Sequence, residues 1–85
     1  MSGKIESTFR ATETTYELVF ESDAGRAVLA QPRDGYAMIT VAPDRDGPVL
    51  ERYYGFDMAL DHAAELLAVR PHALPVPDDA DVMGI

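Results

Sequence analysis

Three short stretches hold the side chains of this 85-residue chain that could do chemistry. Pro43-Asp44-Arg45-Asp46-Gly47-Pro48 sets two carboxylates around an arginine. His62 and Glu65 stand three residues apart, with His72 further on, and Arg52-Tyr53-Tyr54-Gly55-Phe56 is the densest aromatic run. Each fits a kind of site, and each also has a plainer explanation in its surroundings.

The first stretch carries part of a calcium loop. Such a loop needs oxygen ligands at alternating positions, a glycine at the sharp turn, a bidentate glutamate further on and a helix on each side. Asp44, Asp46 and Gly47 supply a fragment of that spacing, but Glu51 comes too early and falls in a segment patterned as a strand. Flanking prolines with Asp-Gly between them are the residues that close a hairpin. The stretch is read as a turn, and no metal is assigned to it. His62 and Glu65 share one helical side, a spacing used in carboxylate-rich metal sites that draw ligands from several helices. Zinc, likewise, needs three or four converging ligands. With one helical segment in the chain, His62 and Glu65 are read as solvated surface residues and His72 as part of a tail.

The aromatic run offers a different chemistry. Strand alternation sends Tyr53 and Tyr54 to opposite faces, so one is expected under a helix and the other on the far side of the sheet. The functional reading is a small-ligand pocket lined by Tyr36, Arg52 and Tyr53, since such pockets pair aromatic walls with a few polar groups. No residue is assigned a catalytic role. Ser2, Ser7 and Ser22 lack a Gly-x-Ser-x-Gly elbow, no phosphate loop is present, and nothing calls for a cofactor.

The elements that must position these residues follow from periodicity. Ile5, Ser7 and Phe9 alternate with polar neighbours, and Tyr16, Leu18 and Phe20 do the same, giving two strands. Ser22-Asp23-Ala24-Gly25 is a tight turn into a third strand, Arg26 to Gln31. Pro32-Arg33-Asp34-Gly35 is a second turn, before a fourth strand from Tyr36 to Ala42. Val49 to Tyr54 makes a short fifth. Asp57 is placed to cap a helix from Met58 to Val69 that Pro71 ends. Leu60, Ala63, Ala64 and Leu67 form its buried stripe. The fold predicted is α+β: an antiparallel meander of about five short strands, then one helix packed on one sheet face. Residues 1–69 form the single domain, and residues 70–85, rich in proline and aspartate, form an extended tail.

One helix covers one face of such a sheet. Tyr36 and Met38 against Ile39 and Val41, and Val49 and Tyr53 against Leu50 and Tyr54, put apolar groups on both sides of strands four and five. The second face therefore needs a cover: either the tail, through Leu74, Val76, Val82, Met83 and Ile85, or a second copy packed about a two-fold axis. A homodimer is the expected state, and a protein partner is the further candidate.

Composition bounds the rest. Fifteen acids face seven bases, a net charge of −8, and Lys4 is the one lysine. A field of that sign repels phosphate backbones and anionic bilayers, which argues against nucleic acid and membrane partners. No cysteine is present, so disulfide, thiol and thiolate-metal chemistry is excluded. The opening MSGKIESTFR lacks a signal-peptide core and no run reaches the ~18 apolar residues of a span, so a cytoplasmic protein is expected. Aspartate in excess of glutamate, near-absence of lysine and many small residues make the composition resemble the small acidic uncharacterised proteins of halophilic archaea. That resemblance carries no motif. It implies a surface that molar salt screens within roughly 3 Å and that self-repulsion destabilises in dilute salt.

Overall fold

The structure is a computed structural model that describes residues 4–33 and 38–83. Five strands form one sheet in the order β1-β2-β3-β4-β5: β1 Glu6–Ala11, β2 Thr15–Ser22, β3 Gly25–Pro32, β4 Ile39–Ala42 and β5 Glu51–Tyr53. Every neighbouring pair is antiparallel. A single α-helix, α1 Phe56–Leu66, follows. The meander and its helix are those the periodicity predicts. Asp34, Gly35 and Tyr36, where the second turn and the start of the fourth strand are expected, lie outside the described residues.

The hairpin between β2 and β3 shows why turn chemistry is legible. Ser22 pairs with Gly25, leaving Asp23 and Ala24 as a two-residue loop, and the Ser22 hydroxyl accepts the Ala24 N–H at 3.1 Å. Gly25 has φ +155°, a conformation that glycine takes without strain.

Register then builds the core. Phe9 opposes Leu18, Leu18 opposes Leu29, Leu29 opposes Val41, and Phe20 opposes Ala27, so these side chains share one face. Leu18, Phe20, Ala27, Leu29, Ile39 and Val41 are fully buried there against Ala59, Ala63, Ala64 and Leu67 of the helix. Ala59 takes the place in the stripe expected for Leu60, which is half-buried. Three alanines on the inner face let the helix backbone lie close to the sheet.

Both helix ends differ from expectation. Gly55, not Asp57, is the N-cap residue, and no side chain caps the first turn. The helix starts two residues early because Phe56 packs on the core. Asp57 therefore lies inside the first turn, where its charge still suits the positive end of the helix dipole. At the other end Ala68 adopts φ 58°, Ala68 N–H donates to the Glu65 carbonyl at 3.1 Å and Val69 N–H to the Ala64 carbonyl at 3.0 Å. This is a Schellman stop built on alanine where glycine is usual, and it ends the helix ahead of Pro71.

The tail packs within its own chain over its described residues. It forms two short 3-10 turns, Pro71–Ala73 and Asp78–Val82. Leu74, Ala80 and Met83 join the same buried cluster as the helix. They cover the helix-bearing face of the sheet and leave the other face to different groups.

That other face carries Val19 opposite Val28 and Val28 opposite Ala42, all three buried. Ion pairs roof this row. Arg45, in the connection after β4, reaches Glu17 on β2 with Nε 2.9 Å from Oε1, and Arg10 approaches the same carboxylate at 3.6 Å. Arg26 bridges Glu21 and Asp44, the latter at 2.8 Å. Strands lie about 4.8 Å apart, so a side chain running from the end of β4 to β2 must cross β3. The stem of Arg45 thereby shields apolar surface while its head stays charged. The row of Val19, Val28 and Ala42 on the second face is thus covered within one chain, whereas Val49, Leu50 and Tyr54, which suggested a partner, are exposed.

Candidate functional site

The structure assigns a definite job to Pro43-Asp44-Arg45-Asp46-Gly47-Pro48. Gly47 N–H donates to the Asp44 carbonyl at 3.0 Å, which closes a turn. A Cβ on Gly47 would stand 3.1 Å from the Pro43 ring and 3.2 Å from the Asp44 nitrogen, so the turn has little room for a side chain. Asp44 Oδ1 accepts the Arg45 N–H at 2.7 Å and Arg26 Nη1 at 2.8 Å. The Arg45 amide, and then the Arg26 guanidinium, hold the Asp44 carboxyl below the usual carboxylate range. Among the described residues no group of three or more histidine, aspartate or glutamate side chains is placed to hold a metal ion.

Two outcomes follow. Replacing Asp44 and Asp46 with asparagine should leave the fold intact, with a small fall in thermal midpoint and no response to added calcium. A large calcium-dependent stabilisation of the wild type that the variant loses would overturn the turn assignment. The depressed Asp44 carboxyl also sets a sign. Its contribution to stability is complete above the unfolded-state value near 4 and fades as pH falls through the lower folded-state value.

Two of the three residues of the expected ligand pocket, Arg52 and Tyr53, are among the described residues. Tyr36 lies outside the described residues. Arg52 opposes Thr40 and Tyr53 opposes Ile39, so neighbouring side chains on β5 leave by opposite faces. Arg52 is exposed and has no ion pair among the described residues. Tyr53 is half-buried beneath α1, and its hydroxyl lies 3.0 Å from His62 Nδ1 with the two rings edge to face at 5.8 Å. His62 is therefore a half-buried partner of the sheet, not the solvated residue its spacing suggested. Burial first, then the charges of Glu51, Glu65 and Asp61, push the Tyr53 phenol up. Nothing in the His-x-x-Glu spacing could have disclosed this contact, because the partner comes from β5.

Those same charges mark out the rim of the molecule where β5 ends the sheet. Around that edge the chain exposes Val49 at 44%, Leu50 at 44%, Tyr54 at 86% and Met58 at 56%. Four large apolar side chains within ten residues of chain contrast with Val76 and Val82, which stand singly on the tail. Single exposed hydrophobics are ordinary, whereas a grouped set marks a contact surface. Asp57, Asp61 and Glu65 line the exposed side of α1, and none of them has an ion pair among the described residues. Elsewhere, a shallow polar depression lies at Lys4, Glu6, Glu21, Ser22 and Asp23. It has neither an aromatic wall nor an enclosed floor.

Among the described residues no helix is long and apolar enough to cross a membrane. No curated protein and no solved structure matches the chain. The family of unknown function DUF7111 does, over residues 1–85, and with its whole length matched the chain belongs to that family.

Proposed function

We propose that this protein is a small non-enzymatic interaction domain of the cytoplasm that self-associates as a homodimer, with two copies meeting along β5. The exposure of Val49, Leu50, Tyr54 and Met58 on the ten residues of chain that run through β5 into α1 carries the reading. An edge strand offers unpaired backbone groups to a second strand, and a two-fold axis is the usual operator for two like chains.

The edge also suits its own copy. For antiparallel pairing about an axis perpendicular to the sheet and midway between the two copies of Arg52, Leu50 falls opposite Tyr54 of the second copy, and the reverse. Both exposed apolar groups then find a partner twice over. The strand is short and carries Glu51 and Arg52, which keeps such pairing weak and reversible. A ligand site built from Tyr36, Arg52 and Tyr53 has less support, because Arg52 and Tyr53 face apart.

Light scattering after size exclusion, in molar KCl, tests the proposal. The wild type should run at twice the 9.3 kDa chain mass, and Tyr54→Asp combined with Met58→Asp should return it to the monomer with an unchanged circular dichroism spectrum. A wild type that stays monomeric, or a double variant that dimerises equally well, would remove the support for this edge.

A further inference from the structure

We infer that assembly along β5 is gated by salt, with the acidic side of α1 acting as the gate. This rests on the docking edge proposed above and adds a control that the edge alone does not require.

Among the described residues the ion pairs lie on the sheet face opposite the helix. Arg10, Arg26 and Arg45 are spent on Glu17, Glu21 and Asp44 across the sheet face opposite the helix. Arg33 is held at the far end of β2, its Nη1 donating to the Thr12 carbonyl at 2.6 Å and its guanidinium 5.1 Å from the Tyr16 ring. The helix side keeps Asp57, Asp61 and Glu65, one turn apart from each other, exposed and without a countercharge among the described residues. Asp61 and Glu65 lie on the β5 side of the helix. His62, between them in sequence, touches Tyr53, and both carboxylates act on the same phenol.

A two-fold axis perpendicular to the sheet preserves its faces. Both helices then lie on one side of the joined sheet, and the acids of one copy look across the seam at those of the other. On the opposite side Arg52 meets its own equivalent. Like charges thus confront each other on both sides of the seam, while the attraction comes from Leu50, Tyr54 and Met58 and needs no ions. Repulsion reaches about 10 Å in 0.1 M salt and about 3 Å in 1 M salt, whereas contact between apolar groups survives in both. Dilute salt should hold the copies apart, and concentrated salt should let them close.

Sedimentation velocity of the full chain in about 0.1 M and about 1 M KCl reads this directly, with circular dichroism recorded on each sample. The wild type should self-associate at least about tenfold more weakly in the dilute salt, the combined effect of several small like-charge terms. Asp57→Asn with Asp61→Asn and Glu65→Gln should dimerise in both and lose most of that dependence. If dilute salt unfolds the wild type, the comparison runs down to the lowest KCl that keeps the native spectrum, and the slopes are compared over that range. Equal association of the wild type across that range, or an undiminished slope in the neutralised variant, overturns the gate and leaves the docking edge standing. A wild type that is monomeric throughout, or assembly unaffected by Tyr54→Asp with Met58→Asp, overturns the docking edge and the gate with it.

Discussion

A chain cut after Val69 should lose most of its stability. Leu74, Ala80 and Met83 are buried in the same cluster as the sheet and helix cores, with Met83 1% exposed. Removing a buried leucine or methionine side chain costs about 2–5 kcal/mol, and the cut removes one of each while opening the cluster to water. A domain of this size has a total stability toward the lower end of about 5–15 kcal/mol. Urea unfolding of the truncated chain should therefore show no cooperative transition, or one moved far toward zero denaturant. In the full chain Met83→Ala and Leu74→Ala should each shift the midpoint by an amount that fits the same range. An unchanged midpoint after truncation would mean that residues 70–85 are the mere appendage their composition suggests.

The second large effect distinguishes the two faces of the sheet. Phe20 is the largest of the fully buried side chains, and its replacement by alanine should cost about 3–5 kcal/mol. Val19, its neighbour on β2, points to the opposite face, which carries the Arg45–Glu17 and Arg26–Glu21 ion pairs and lies away from the helix. Val19→Ala should cost clearly less, since fewer methyl groups are lost and the charged cover can settle onto the gap. Chemical denaturation of both variants gives the ratio. Equal costs would imply a second packed core that the ion-pair roof does not describe.

These contrasts show where sequence reasoning succeeds and where it stops. Strand alternation at Tyr16, Leu18 and Phe20, the Ser22 to Gly25 turn and the 3.6-residue stripe through Ala63, Ala64 and Leu67 are local signals, and each yields its element. The helix ends depend on weaker signals. Asp57 looks like a cap, but burying Phe56 carries the helix back to Gly55, a tertiary effect that overrides a local preference of about 1 kcal/mol. The stop at Ala68 is hidden because alanine holds the left-handed position where glycine would announce it.

Long-range pairs were the least legible. Arg45 meets Glu17 across 28 residues of chain, and that contact decides how the second face is covered. Tyr53 meets His62 through a strand-to-helix crossing, and Met83 reaches the core from beyond three prolines. Periodicity carries no record of any of these. In the pocket expected from Tyr36, Arg52 and Tyr53, the pleat of β5 sends Arg52 and Tyr53 to opposite faces. Val49, Leu50 and Tyr54, expected to need a cover, are exposed on the segments that flank β5.

Hydrogen exchange along β5, followed as a function of protein concentration in molar KCl, tests that edge most directly. If two copies pair there, amide protection at Arg52, whose N–H turns to the Glu51 side chain, should rise with concentration while exchange in β2 and β3 stays constant. Exchange on β5 that does not change with concentration, or a dimer whose new protection appears over another part of the chain, would contradict the account.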